Sequence, residues 1–178
     1  NEASPYAVFQ VSAAAGQLVT LSLGNTTVDT DVDATLGTDT RNAGAAMALQ
    51  YYNGAGWVDY APGERVAIAG AGPVLLVRTG IRQDSLSEGA ETFTLAAQNT
   101  GGAQARGLAT IRDDGQGDIY PDNGSGSVDA GALRDNDQPG FLVSSLDINE
   151  ASPYAVFEVR LTNPSATSIR FSPILASD

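Results

Sequence analysis

Nine consecutive residues, Asn1 to Phe9 (NEASPYAVF), recur letter for letter at Asn149 to Phe157, a spacing of 148 (149 − 1). Over the 30 residues the two copies share, the only further identity is Val11 with Val159, yet Leu21 is matched by Ile169 and Leu23 by Phe171. Self-similarity at a fixed period marks an array of structural units. The chain therefore reads as one period plus the first strands of the next. Phe141 to Ile148, an apolar run, precedes the second copy and has no counterpart before the first, so the first copy starts in mid-strand. Together with the absence of an initiator Met or a basic-then-apolar leader, this predicts a processed product or an excised piece. The surplus C-terminal strands either belong to a longer chain or complete a neighbouring molecule's sheet by strand addition.

The pattern inside the period is that of strands. Two-residue alternation bounded by Gly, Pro, Asn and Asp recurs, and no useful window keeps a 3.6-residue period. In the second copy Phe157, Val159 and Leu161 alternate with Glu158, Arg160 and Thr162; in the first copy the matching face is Phe9, Val11 and Ala13. Further strands are expected at Gln17 to Leu23, Ala46 to Tyr52, Glu64 to Ile68, Val74 to Thr79, Glu91 to Ala97 and Gly107 to Ile111. This predicts an all-β fold, an immunoglobulin-like Greek-key β-sandwich of about seven strands. Asn25 to Ala45 and Asp113 to Gly140, rich in Asp and Gly, read as loops. The expected division is a β-sandwich at 1–118, an inter-repeat linker at 119–140 and the first strands of the next repeat at 141–178.

What the chain lacks narrows the chemistry. There is no Cys and no His, and all nine basic residues are Arg. Triads built on His, ordinary zinc or copper sites, Schiff bases and Walker loops are thereby excluded. A net charge of -12 repels phosphate, and no basic stripe offsets it, so nucleic acid is not expected as a partner. The longest apolar stretch, Val66 to Val77, is interrupted by Gly70, Gly72 and Pro73 and falls short of the roughly 20 residues a spanning helix needs. What is left is hard-cation binding by oxygen, with Ca2+ the leading candidate because it takes six to eight oxygens at about 2.3–2.6 Å.

The acids are clustered at expected strand ends. Asp84, Glu88 and Glu91 precede the strand of Phe93 and Leu95; Asp113, Asp114 and Asp118 close another; Glu2 precedes the first; Asp39 sits in Gly37-Thr-Asp-Thr40. In a sandwich such ends can converge at one pole, where like charges repel unless a cation sits among them or their pKa values rise. The alternative is that these acids are solvated loop residues that aid solubility. Two nearby carboxylates also suffice for glycoside hydrolysis, but no aromatic-lined cleft accompanies Glu88 and Glu91, and no enzyme activity is expected. Tyr51, Tyr52, Trp57 and Tyr60 surround Asn53-Gly-Ala-Gly56, which reads as a hairpin packed on the sandwich or as an aromatic surface for a glycan.

Ile81-Arg-Gln-Asp-Ser-Leu-Ser-Glu-Gly-Ala-Glu-Thr-Phe-Thr-Leu95, followed by Gly107-Leu-Ala-Thr-Ile-Arg-Asp-Asp-Gly115, resembles the signature of Calx-beta and related immunoglobulin-like repeats. NEASPYAVF with Gly117-Asp-Ile-Tyr-Pro-Asp-Asn-Gly124 is similar to tandem repeats of very large RTX-type bacterial adhesins. The resemblance covers most of the first 118 residues. It implies Ca2+ ligation by Glu2, Asp39, Asp84, Glu88, Asp113 and Asp114, with Glu91 beside them and Glu150 taking the part of Glu2 in the next unit. Where the family has Gly-x-Asp-Tyr this chain has Gly37-Thr-Asp39-Thr40, so Asp29, Asp31 or Asp33 are alternatives to Asp39. The implied role is that of an extracellular bacterial surface repeat, a Ca2+-stiffened extender whose partners are adjacent repeats or identical subunits head to tail. Strand complementation into filaments and binding of a surface glycan are the alternatives.

Overall fold

A computed structural model describes residues 1–25, 32–35, 39–40, 49–68 and 74–176. Among them there is no helix, and the strands run β1 Tyr6–Ser12, β2 Leu18–Gly24, β3 Val32–Asp33, β4 Gln50–Tyr52, β5 Trp57–Asp59, β6 Val66–Ala67, β7 Val74–Gly80, β8 Glu91–Asn99, β9 Gln104–Ile111, β10 Phe141–Val143 and β11 Val159–Leu161. One sheet has the order β1-β7-β4-β5. A second has the order β3-β8-β2-β6, with β9 also on β8. Because β2 pairs with Thr94–Asn99 and β9 pairs across the same stretch, the two lie on opposite edges of β8. Apart from the short parallel match of β3 to Glu91 and Thr92, the pairings of these strands among the described residues are antiparallel.

The alternation read from sequence is what joins the sheets. Val19 and Leu21 of β2, Leu95 and Ala97 of β8, and Leu75 and Val77 of β7 meet in one buried cluster, with Phe9, Val11 and Ala13 packed against it. A second cluster near the end of β9 holds Ile81, Phe93 and Ile111, and there the Phe9 and Phe93 rings meet edge to face at 5.9 Å. Side chains drawn from two sheets into a common core give a β-sandwich-like all-β fold. Tyr60 completes the core by hydrogen bonding: its hydroxyl accepts from Leu21 N–H and donates to the Glu64 carbonyl, both at 2.9 Å.

One stretch differs from the sequence reading: β3 falls within the stretch read as a loop. The hairpin read around Asn53-Gly-Ala-Gly56 is β4–β5, with Trp57–Asp59 as its second strand. The part of the expected strand at 46–48 lies outside the described residues.

The segment expected to be a linker is folded onto the sandwich. It leaves Asp118, buries Ile119, crosses the outer face of the β1-β7-β4-β5 sheet and returns where Asp129 N–H donates to the Ile119 carbonyl at 2.8 Å. Under it lies Arg78, 5% exposed, whose guanidinium stacks 3.6 Å from the Tyr6 ring centroid and 4.2 Å from that of Trp57. Arg78 also donates to Gln50 at 2.8 Å and pairs with Asp122 of the crossing segment. The two rings, the Gln50 bond and the Asp122 carboxylate together offset part of the hydration this buried cation loses. Tyr52 and Trp57 are engaged in this packing, so the hairpin reading of the aromatic residues describes them. The crossing segment approaches so closely that Gly126, at φ +65°, has no room for a Cβ, which would sit 2.8 Å from the Leu76 methyls. Gly124, at φ +71°, meets the Tyr52 ring in the same way.

The second copy repeats the first in its turn but not in its burial. Ala3 N–H donates to Asn1 Oδ1, Ser4 N–H to the Asn1 carbonyl and Ser4 Oγ to the Tyr6 carbonyl; in the second copy Ala151 N–H donates to Asn149 Oδ1, Ser152 N–H to the Asn149 carbonyl and Ser152 Oγ to the Tyr154 carbonyl. Yet Asn1, Glu2 and Ser4 are buried, whereas Tyr154, Val156 and Phe157 are exposed. Local sequence sets the turn, and the surrounding strands set the burial.

Candidate metal centre

The acidic residues sit where strands begin or end. Glu2 lies in the turn before β1, Glu91 opens β8, Asp113 follows β9, and Glu88 stands in the loop between β7 and β8. Backbone bonds gather these ends: Glu2 N–H donates to the Arg112 carbonyl at 2.9 Å, Ile81 N–H to Pro5 at 3.1 Å and Arg82 N–H to Asp39 at 3.0 Å. Asp84 shapes its own loop, its Oδ1 accepting from Leu86 N–H at 2.7 Å in an Asx turn.

Two groups of carboxylates result. In one, Asp39, Glu88 and Glu91 each offer an oxygen within 4.8 Å of the others. In the other, Asp113, Asp135 and Asp137 do the same. The groups adjoin, because Asp113 Oδ2 accepts from Glu88 N–H at 3.1 Å while its Oδ1 takes the Asp137 N–H at 3.4 Å. Glu2 stands beside the second group: it is 6% exposed, accepts from Asp84 N–H at 3.0 Å and hydrogen-bonds the Asp113 side chain.

So many acids in so little water cannot all stay charged at their ordinary values. Burial, then the Asp39 carboxylate beside it, pushes Glu91 up to about 8. Burial raises Glu2 to about 7, helped by the charges of Asp113, Asp84 and Glu88 and opposed by the Asp84 N–H. Burial raises Glu88, Asp113 and Asp137 too; neighbouring carboxylates come next for Glu88 and Asp137, whereas at Asp113 the Glu88 and Asp137 N–H bonds oppose the rise. The Oδ2 oxygen of Asp137 is buried with no hydrogen-bond partner. The two groups offer oxygen donors alone, one of them unsatisfied, and each could hold a metal ion.

The residues singled out in the sequence divide three ways. Asp39, Glu88, Glu91 and Asp113 belong to the two groups, and Glu2 and Asp84 stand beside them. Asp114 does not: its Oδ2 lies 3.6 Å from Arg112 and its Oδ1 accepts from Gln116 N–H at 3.0 Å. Glu150 is exposed in the second copy, in neither group. Of the alternatives to Asp39, Asp33 is exposed outside both groups, and Asp29 and Asp31 lie outside the described residues. Asp135 and Asp137 were missed because they were assigned to a linker; the alternating Asp135-Asn-Asp137 was the available signal.

The second group also touches the next copy. Asn163 Nδ2 donates to the carbonyl and to Oδ1 of Asp137, both at 3.2 Å. Beside it Ser87 N–H donates to the Pro164 carbonyl and Ala166 N–H to the Ser87 carbonyl, each at 3.0 Å. Gln83 reaches Asp135 Oδ2 at 2.6 Å. The pole and the turn at 162–167 thus form one contact.

No family model, no curated protein and no solved structure matches the chain. The class that fold and site define is therefore a physical one: a β-sandwich-like all-β protein with two adjoining carboxylate groups at one pole.

Proposed function

We propose that the chain is a Ca2+-binding, immunoglobulin-like Greek-key repeat of a long extracellular bacterial surface protein of the Calx-beta and RTX-adhesin kind. It serves as a structural extender and not as an enzyme. The observation that carries the reading is the position of Asp137, whose N–H is held by Asp113, whose Oδ1 holds Asn163 of the next copy and whose Oδ2 has no partner. Asp113, Asp135 and Asp137, with Glu2 beside them, would hold one cation, and Asp39, Glu88 and Glu91 a second. The cation supplies the positive charge that lets these carboxylates ionise together. Asp137, so fixed, orients Asn163, and through the Ser87 bonds the whole 162–167 turn, so the joint stiffens. Because the folded chain alone presents the two groups, cation binding stabilises it by mass action, by about 2.7 kcal/mol at a hundredfold excess over Kd.

Melting in excess EGTA and in millimolar Ca2+ tests this. The expected gain is about 5–11 °C, at 2–4 °C per kcal/mol for a chain of this size. Glu88→Ala and Asp137→Ala are expected to remove much of the gain, and Asp114→Ala to keep it. Identical melts in the two buffers would make the acids solvated loop residues and refute the reading.

A further inference from the structure

One local device recurs in the turns. Asn53, Asn99, Asn123, Asn136 and Asn149 each curl the side chain back so that Oδ1 accepts the N–H two residues on. The ring so closed contains both the side-chain Cγ and the backbone nitrogen of the next residue. Attack of that nitrogen on Cγ opens an intramolecular deamidation, in which proximity takes the place of a second reactant. The next residue decides whether the attack can proceed. Thr100 is branched at Cβ beside its own nitrogen, and Asp137 and Glu150 also carry side chains there. Of these five asparagines, Asn53 and Asn123 are followed by glycine.

The two Asn-Gly pairs are held alike but surrounded differently. Asn53 Oδ1 accepts from Ala55 and Gly56 N–H, both at 2.9 Å, and Asn123 Oδ1 accepts from Ser125 N–H at 3.1 Å and Oγ at 2.7 Å. In each, two donors meet the oxygen that gains negative charge in the attack. The difference lies in the glycine. Gly54, at φ +95°, is exposed at the tip of β4–β5 and has nothing within 4 Å of where a Cβ would stand. Gly124 is pressed on Tyr52, with 2.9 Å from such a Cβ to the ring, and the Arg78–Asp122 pair holds its segment down. The Gly54 peptide is free to turn its nitrogen onto Cγ; the Gly124 peptide turns only if the crossing segment lifts off the sheet.

We propose that Asn53 is a site of spontaneous deamidation in the folded chain, and that the seated 119–129 segment protects Asn123. Gly54 N bonds to Asn53 Cγ as the Cγ–Nδ2 bond breaks, and Nδ2 leaves as ammonia with the Gly54 amide proton. Water then opens the succinimide at either carbonyl, giving aspartate or isoaspartate. Water is the sole co-reactant, and nothing is oxidised or reduced. Aspartate keeps an oxygen for the Ala55 and Gly56 N–H groups and adds a negative charge. Isoaspartate instead puts a methylene into the main chain between Tyr52, on which Gly124 rests, and Trp57, which stacks on Arg78. The proposal does not depend on Ca2+, since Asn53 belongs to neither carboxylate group.

The test ages the full chain at pH 8, with and without denaturant, and reads the products by tryptic mapping with fragmentation. Asn53 lies between Arg41 and Arg65, and Asn123 between Arg112 and Arg134, so the two sites fall in separate peptides. In denaturant the two pairs should react at similar rates, which sets the reference. In the folded chain Asn53 should deamidate at least about tenfold faster than Asn123. Arg78→Met, and independently Gly126→Ala, should unseat the crossing segment and bring Asn123 up toward its rate in denaturant. Equal rates at the two sites in the folded chain, or a faster Asn123, would overturn the proposal. So would an Asn53 that reacts in denaturant but not in the folded chain, since the curled side chain would then be locked and not poised. An Asn123 that stays slow in both variants, although hydrogen exchange shows 119–129 opened, would overturn the protecting role of that segment.

Discussion

Replacing Glu2 with Gln separates the electrostatics of the pole from its packing. The amide has the shape of the carboxylate, and its Oε1 can still accept the Asp84 N–H that Glu2 accepts at 3.0 Å. What it removes is a charge that burial and the neighbouring acids hold back until about pH 7, against an ordinary value of 4.5. A carboxyl whose folded pKa is raised binds its proton more tightly when folded, so its contribution is fully present below pH 4.5 and is lost as pH rises through about 7. The full shift would correspond to about 3 kcal/mol at about 1.4 kcal/mol per unit, and screening by nearby water reduces this to roughly 1–2 kcal/mol. In EGTA at pH 8, Glu2→Gln should therefore raise the melting temperature by about 2–8 °C, and at pH 5 by far less. In millimolar Ca2+ the order should invert, because the variant has lost an oxygen charge beside both carboxylate groups. Circular dichroism melts of both chains in four buffers read all of this. If the variant is destabilised in EGTA at pH 8, Glu2 is not held against its charge and the account of the pole fails.

Other outcomes follow from particular contacts. The metal-free chain itself should be more stable at pH 5 than at pH 8, since Glu2 and Glu91 titrate at about 7 and about 8; Ca2+ should flatten that slope, as melts across the range would show. Gly126→Ala forces a Cβ against Leu76 at a positive φ, so a loss of about 1–3 kcal/mol and faster hydrogen exchange at 119–129 are expected. Arg78→Met keeps the bulk but removes both ring-stacked charge and the Asp122 contact, and should likewise speed exchange in that segment while leaving the Ca2+ response intact. Phe93→Ala, at a fully buried site, should cost about 3–5 kcal/mol in a denaturant titration.

Alternation made the longer strands legible: β1, β2, β7, β8 and β9 stand within a few residues of where Phe9, Leu21, Val77, Phe93 and Ile111 place them. The short β4 and β6 fall inside the strands expected at Ala46 to Tyr52 and Glu64 to Ile68, but Val32–Asp33 was not legible, because two residues carry no period and it owes its existence to Glu91 and Thr92 beside it. The clustering of Asp39, Glu88, Glu91 and Asp113 follows from their places at strand ends. Asp135 and Asp137 were hidden for a different reason. Their positions depend on a segment that first crosses a sheet and folds back, and what holds it there, Arg78 between two rings and two glycines pressed on side chains, is long-range and has no local signature. Asp114, adjacent in sequence to Asp113, turned to Arg112 instead, since neighbours along an extended chain face opposite ways.

The turn that Asn149, Ala151, Ser152 and Tyr154 make without any of the covering that surrounds Asn1 bears on how such a chain is made. Its bonds span two or three residues, so closing them needs no distant segment and is fast beside the pairing of strands such as β1 with β7, nearly seventy residues apart. The bend at Asn149 can therefore close before the segment after it has found a partner, so the direction of that segment is set by its own sequence.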